Sequence, residues 1–436
     1  MNKQISKPNR KPSILECIKI FAKIGFLSFG GPTAQIALMH KELTVDKSWL
    51  TEAQFLSALS FCMFLPGPEA MQLATYSGWR LYGILGGLIA GILFLLPGAV
   101  LIALLASIYT SYGEITAVKA IFIGIKATVI IIVIEALLKI FEKTLKHRLH
   151  WIIAGASFFA FFLFSLPFPL IIFSAALIGA ISFNTQGIRT PSSKERITFS
   201  IRKTATTIVL WLFVWFSPLA FIIIYFGNDH IFSQLGIFFS KLAVVSFGGA
   251  YSVLAYMTQE VVQNHNWLSA SEMLDGLGLA ETTNGPLILV NEFVGYVAAY
   301  RYEGNSSSTT ALIGAFIALW ATFVPCFLWI FAGAPYLDIV QKSQKLQGAL
   351  NGVMAAVVGV ILNISVWFSL QVFFKKVSKY EIGPLVIWKP HILTLDWTTV
   401  FLSLLSAFLL LYLKIGIGKT LLVTGGISLI LFTYLF

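Results

Sequence analysis

The residues best suited to chemistry occur twice. Lys23 to Pro32 reads K-I-G-F-L-S-F-G-G-P, and Lys241 to Gly249 reads K-L-A-V-V-S-F-G-G. Each places a lysine inside an apolar run that ends on paired glycines, Gly30–Gly31 and Gly248–Gly249. A second pair follows. F-C-M-F-L-P-G-P-E-A-M-Q-L-A-T-Y (61–76) is answered by G-L-A-E-T-T-N-G-P-L (278–287). Pro66 and Pro68 remove two backbone donors, and Gly67 admits dihedrals closed to other residues. A helix cannot pass through unbroken, and the freed groups must find protein, ligand or trapped water, because lipid offers no partner. Glu69 begins the next helix, whose N-terminal end favours a carboxylate and also suits a bound anion. In the second copy Asn284 stands where Pro66 stood, while Gly285 and Pro286 keep the break.

The chemistry these residues suit is capture of a small anion by lysine charge and helix ends. Lys23 and Lys241 each precede a glycine by seven residues, close to two helical turns, so lysine and glycine are expected to share a face. Either lysine alone is explained by snorkelling to the near interface. Their recurrence favours anion attraction or pairing with a buried carboxylate. The candidate buried acids are Glu69, Glu281 and Glu292, expected to couple protons. Their repeat equivalents are Leu287, Met63 and Ala74, so the acids are not duplicated. Glu42 and Glu260 are duplicated but lie in polar surroundings and read as capping or linker acids.

The elements that position these residues are membrane helices. The 436 residues are 57% hydrophobic and 11% charged, with apolar runs long enough to cross a bilayer. The runs do not alternate, which excludes a barrel. The formal charge of +11 sits mostly in linkers, as the positive-inside rule requires, so it is not a nucleic-acid footprint. Cys17, Cys62 and Cys326 stand singly in apolar runs and suggest neither disulfide nor metal. No cofactor is expected. The basic stretch 1–13 leads into a first helix without a small-residue cleavage site, which reads as uncleaved.

About thirteen membrane segments are expected, at 14–39, 53–78, 83–109, 117–140, 150–166, 168–184, 205–226, 233–258, 270–300, 309–331, 346–374, 399–413 and 418–435. Basic residues place the N-terminus and the 139–150 and 185–204 linkers on the cytoplasmic side. The 375–398 linker carries Lys375, Lys376, Lys379 and Lys389 yet counts as outside. Either a C-terminal segment is miscounted or part of 380–397 re-enters the membrane.

A constant offset (241 − 23 = 218) pairs Phe21/Phe239, Ser28/Ser246, Met39/Met257, Glu42/Glu260, Trp49/Trp267 and Pro68/Pro286, among others. An insertion near 303–310 then shifts the register, and Pro97 pairs with Pro325. The organisation is a tail (1–13), a first repeat (14–184), a linker with a linking helix (185–232) and a second repeat (233–436). The odd linking helix inverts the second repeat. The expected fold is thus an all-α polytopic membrane protein of two inverted-topology repeats with broken helices near the midplane. Transporters use that architecture to alternate access around a central site.

F-G-G-P (29–32), F-L-P-G-P-E-A-M-Q-L-A-T-Y (64–76), F-G-G-A-Y-S-V-L-A-Y (247–256) and M-L-D-G-L-G-L-A-E-T-T-N-G-P-L (273–287) resemble the signatures of the chromate ion transporter family, in its long two-repeat form. The resemblance covers nearly all of 14–374, and Asn284 departs from the family's usual proline. It implies chromate efflux across a bacterial inner membrane, driven by membrane potential or a proton gradient, with sulfate as a competing anion. The partners it implies are these anions and membrane lipid, not nucleic acid. Whether the chain works as a homodimer is left open. Two other readings remain: a permease for sulfate or another oxyanion, and a membrane-embedded enzyme acting on a lipid phosphate. No Walker A loop, G-x-S-x-G or H-E-x-x-H supports an enzyme. The segment count is checked by thiol labelling of intact cells carrying Thr190→Cys, Asn305→Cys or Tyr380→Cys. The last two should react from outside and the first only after permeabilisation.

Overall fold

The computed structural model describes residues 12–182, 201–247, 250–304, 307–337 and 343–435. The tail 1–11, most of the basic linker 185–200, and the candidate glycines Gly248 and Gly249 lie outside the described residues. The chain forms α1 (Ile14–Leu27), α2 (Gly31–His40), α3 (Glu52–Cys62), α4 (Glu69–Tyr112), α5 (Thr116–Thr144), α6 (Arg148–Phe162), α7 (Phe168–Ser182) and α8 (Ile201–Phe226). There follow α9 (Ile231–Val245), α10 (Ala250–Thr258), α11 (Ala270–Thr282), α12 (Val290–Arg301), α13 (Ser308–Gly333) and α14 (Gln344–Phe373). Strands β1 (Val377–Ile382) and β2 (Leu385–Pro390) precede α15 (Trp397–Ala407) and α16 (Ile417–Leu435).

Among the described residues, five helical stretches are long and apolar enough to cross a membrane: Glu69–Tyr112, Thr116–Thr144, Ile201–Phe226, Ser308–Tyr336 and Gln344–Phe373. The expected segments 14–39, 233–258, 53–78 and 270–300 are each interrupted instead of continuous. Within α4, Tyr82 and Gly83 leave helical geometry (Gly83 φ +61°). The chain folds back there, since a Cβ on Gly78 would lie 2.2 Å from the carbonyl oxygen of Gly86. Past this break Gly87 and Gly91, one turn apart, let rings approach. Phe331 and Phe327 fill the space that side chains on Gly87 and Gly91 would need.

The repeat is written into backbone geometry. After α2 the helix widens into a π turn at Lys41–Asp46, and after α10 an equivalent turn spans Gln259–Asn264. Left-handed residues follow at Ser48 (φ +51°) and Asn266 (φ +52°), again 218 apart (266 − 48). Thr51 and Ser269 then cap α3 and α11 through Gln54 and Glu272, each with the reciprocal bonds of a capping box.

The described residues form two compact units that do not coincide with the repeats. The first holds α1–α3, α4 as far as Leu104, α8, α9, α12 and α13; here α13 packs on α8, α9 and α12. The second holds the remainder of α4, α5–α7, α10, α11, α14–α16 and the strands. In it α14 packs on α6 and α7, while α5 packs on α15 and α16. A Cβ on Gly124 would sit 2.3 Å from the Thr424 carbonyl oxygen, and one on Gly352 would sit 2.1 Å from that of Ala175. These contacts are repeat equivalents, with offsets 352 − 124 = 228 and 424 − 175 = 249.

The increase in offset reflects an insertion in the second repeat. Residues expected either to re-enter the membrane or to signal a miscount form an antiparallel hairpin, so the fold is not wholly helical. Val377, Tyr380, Val386 and Ile387 favour extended backbone, and Gly383 (φ +59°) with Pro384 makes the two-residue turn. The hairpin is largely exposed, with Lys379 and Glu381 paired at 2.6 Å. The hydrogen bond from Lys379 and its charge hold the Glu381 carboxyl below its ordinary value. Val386 N–H donates to the Leu163 carbonyl (2.7 Å), tethering the hairpin to the α6–α7 turn. Close helix contact predicts that Gly124→Val and Gly352→Val each cost about 1–3 kcal/mol through overpacking. Melting of the purified protein in detergent checks this, and unchanged transitions in both variants would contradict the close approach.

Candidate functional site

The doubled S-F-G-G motif is where a helix stops, not the face of a continuous one. Ser28 ends α1 at φ −79°, ψ 63°, and Ser246 ends α9 at φ −79°, ψ 58°. Each hydroxyl turns back onto its own helix, Ser28 Oγ donating to Ile24 O (2.6 Å) and Ser246 Oγ to Ala243 O (3.0 Å). Phe29 and Phe247 N–H groups close matching tight turns onto Leu27 and Val245 (2.9 Å each). Gly30 (φ +88°) and Gly31 (φ +77°) restart the chain as α2, with Pro32 in its first turn. The shared lysine–glycine face expected from seven-residue spacing therefore does not exist, because the helix ends before Gly30.

The four interruptions are joined in the first unit by a reciprocal exchange. Gly67 N–H donates to the Ser246 carbonyl (2.9 Å), and Gly285 N–H donates to the Ser28 carbonyl (3.0 Å). Each repeat's proline-flanked break bonds the other repeat's serine turn. Both glycines hold left-handed backbone, at φ +118° and +93°. A Cβ on Gly67 would lie 2.9 Å from Gln72 Nε2 and 3.0 Å from Cys326 Sγ. One on Gly285 would lie 3.0 Å from Leu289 Cδ1 and 3.5 Å from Gly98 Cα. Gly98 and Cys326 directly follow the paired Pro97 and Pro325, so this contact too is made twice.

Buried amides complete the breaks. Gln72 Nε2 donates to Pro66 O (2.7 Å). Gln35 Nε2 donates to Gly285 O (2.6 Å) and more weakly to Ser28 O (3.3 Å). Asn284 Nδ2 reaches Gly25 O in α1 (3.2 Å), a tether that proline at this position would lack. Of the partners open to the freed groups, protein takes these two: the Gly67 and Gly285 N–H groups are occupied by serine carbonyls and not by an anion, and Pro68 and Pro286 have no N–H. The donors that helix geometry leaves over are first-turn N–H groups of α4, from Glu69 onward.

Charge is distributed unequally. Lys23 Nζ pairs with Glu42 Oε1 at 2.6 Å; the lysine is half exposed and the glutamate buried. Glu42 is thus the buried carboxylate beside Lys23, not a solvated linker acid. Its repeat partner Glu260 instead lies 4.0 Å from His265, and Lys241 is an exposed residue on α9. Glu69 opens α4, partly buried beside Pro68. Glu292 is buried on α12, with Oε2 lacking a hydrogen-bond partner, next to Asn291, whose Nδ2 donates to Thr322 Oγ1 (3.0 Å). Glu281 is buried near the end of α11, in the second unit. Among the described residues no cluster of histidine, cysteine, aspartate and glutamate is arranged to hold a metal. Sequence reasoning missed Glu42, Gln35, Gln72 and Asn291. The amides lack polar repeat counterparts (Val253 for Gln35, Val290 for Gln72), so duplication gave no sign of them.

A lysine-flanked set of cross-bonded helix breaks is a scaffold that relatives can identify. The sequence model described as "Chromate transporter" matches residues 15–180 and 233–431, both repeats and most of the chain. The chain belongs to the chromate transporter family. A "Probable chromate transport protein" of Synechococcus elongatus is 29% identical over 361 residues, covering 80% of this chain and 83% of the relative. A "Chromate transport protein" of Pseudomonas aeruginosa is 31% identical over 349 residues (78% and 77%), and one of Cupriavidus metallidurans is 27% identical over 355 (80% and 81%). No solved structure matches the chain. Two matched segments fit the long, two-repeat form of the family, and the long apolar helices make this an integral membrane protein. The left-handed backbone and filled space at Gly67 predict that Gly67→Ala costs about 1–3 kcal/mol and lowers the melting temperature. Gly418→Ala, whose added methyl meets nothing within 4 Å, should not. Equal melting for the two variants would remove the constraint assigned to Gly67.

Proposed function

We propose that this protein is a secondary transporter that exports chromate from the cytoplasm and so confers chromate resistance. The observation that carries the reading is the reciprocal bonding of two pairs of helix breaks, with Lys23, paired with Glu42, five residues before the Ser28 turn (28 − 23). Relatives carrying the name chromate transport protein over about four-fifths of their length support the choice of anion. In this reading the two repeats have inverted topology and the breaks lie near the membrane midplane. The anion site is drawn from Lys23, Gly30, Gly31, Pro66, Gly67, Pro68, Lys241, Gly248, Gly249, Asn284, Gly285 and Pro286. Lysines supply positive charge, and the helix end at Glu69 supplies N–H donors. The glycines and prolines keep the backbone open there. Glu69, Glu281 and Glu292 are the acids proposed to couple protons. The membrane proposed is a bacterial inner membrane, and sulfate, a tetrahedral dianion of similar shape, is the expected competitor.

Energetics favour export. Moving one charge through 100 mV is worth about 2.3 kcal/mol. For a dianion that becomes about 4.6 kcal/mol, or roughly three decades of concentration at about 1.4 kcal/mol per decade. With the interior negative, chromate leaves downhill, whereas uptake would need about three accompanying protons to reverse the charge moved. The test is labelled-chromate flux in everted vesicles, with sulfate as competitor. Wild-type vesicles should accumulate chromate under an imposed potential. Lys23→Ala, Lys241→Ala and Glu281→Gln should each lower the rate at least tenfold. Normal rates in all three would remove the site assignment, and preference for sulfate over chromate would change the substrate.

A further inference from the structure

The second unit contains a buried charge cluster that neither the repeat pattern nor the helix breaks call for. Asp275, on α11, is almost wholly buried. Tyr109 Oη donates to its Oδ2 at 2.9 Å. Lys126 Nζ, on α5, stands 3.4 Å from its Oδ1, within ion-pair reach, but gives its short hydrogen bond (2.6 Å) to Ser271 Oγ. Oδ1 has no hydrogen bond of its own. Neutral partners, Tyr109 and Ser271, thus fix the geometry, while the charge–charge contact is the loosest link.

We infer that Asp275, with Lys126 and Tyr109, forms a proton-coupling site of the transporter. The inference rests on the transport reading above. Three observations carry it. First, ionisable groups inside a membrane protein are costly and mark ion or proton pathways. Asp275 lies six residues past the Ser269 cap, about 9 Å along the helix at 1.5 Å per residue. Second, the cluster is built once. The repeat equivalents of Asp275, Lys126 and Tyr109 are Ser57, Met354 and Leu337. Braces of this fold recur in both repeats, as Gly124 and Gly352 do; a directional function needs only one copy. Third, one side of the cluster is reachable, because the Lys126 side chain is 19% exposed against 5% for Asp275.

The step balances simply. A proton binds the Asp275 carboxylate at Oδ1 and neutralises it, Lys126 stays an ammonium held by Ser271, and the cluster gains one positive charge. Release of the proton restores the pair, so one proton is carried per cycle. Of the other charged groups on the packed elements, Glu272 is near enough for its charge to act on Asp275, and Glu142 and Lys143 of α5 are exposed. On α11, Glu272 is bonded to Ser269, and Glu281 lies about 9 Å further along the helix. On α5, Lys119 pairs with Glu114 and Lys139 with Glu135. Lys345 on α14 and Lys419 on α16 are exposed.

The experiment uses the full-length protein in liposomes. Labelled chromate is followed in two modes: net flux driven by an imposed pH gradient, and one-for-one exchange without a gradient. Asp275→Asn should lose at least tenfold of the gradient-driven flux and keep exchange within about twofold. Tyr109→Phe should retain both modes and displace the pH profile of net flux. An infrared carboxyl band that appears on acidification of wild-type protein and is missing in Asp275→Asn should mark the group directly. Undiminished gradient-driven flux in Asp275→Asn would overturn the inference and leave the chromate reading intact. Parallel loss of both modes would also overturn it, by showing a brace and not a coupling group. If wild-type liposomes move no chromate, the functional reading falls and the infrared band decides alone, its absence overturning the inference.

Discussion

Two hydrogen bonds organise the first unit: Gly67 N–H to Ser246 O and Gly285 N–H to Ser28 O. A helix broken inside a bilayer leaves donors and acceptors that lipid cannot satisfy, at several kcal/mol each. Here each repeat supplies what the other lacks. The serine turns expose a carbonyl because the chain leaves the helix there, and the proline-flanked breaks expose an N–H because glycine alone can hold the required backbone. Each break is satisfied by the other repeat, so in this unit the two copies are bound to each other through their interruptions.

The same constraint explains why small residues stand where they do. At Gly67, Gly98 and Gly285 backbone approaches backbone or a buried side chain so closely that any Cβ would intrude. Gln35, Gln72 and Asn284 then take up leftover carbonyls with side-chain amides. These amides differ between the repeats, whereas the backbone exchange does not. The scaffold is symmetric and the chemistry laid on it is not. Lys23 has Glu42 while Lys241 is exposed, Glu260 meets His265, and the buried acids Glu281, Glu292 and Asp275 have no acidic counterparts.

Much of this was readable in the chain. The apolar runs set the membrane class, and the constant offset of 218 joined Ser28 to Ser246 and Gly67 to Gly285 before any contact was known. Two readings failed for physical reasons. Periodicity treats an apolar run as one helix, so it passed over the turns at Ser28 and Ser246, where the helix stops without any change of hydropathy. For the linker 375–398, whose charge conflicts with its count, the alternatives were a miscounted C-terminal segment and re-entry of part of 380–397, and neither foresees the hairpin at 377–390. Residues such as Val377, Tyr380, Val386 and Ile387, which favour extended backbone, on either side of Gly383-Pro384 are a hairpin signal that a search for membrane segments does not weigh.

What the amino-acid sequence determined by itself was local or duplicated: membrane insertion, the breaks at Pro66–Pro68 and Gly285–Pro286, and the equivalence of the two halves. Hydropathy, proline and glycine act within a few residues, and a repeat is visible to simple comparison. Only the tertiary structure decided which broken end bonds which, that Glu42 faces Lys23, and that Tyr109, Lys126 and Asp275 meet. Those pairings join residues on different elements, up to 257 positions apart (285 − 28), and no local preference specifies a partner at that distance; it is set by how the helices pack.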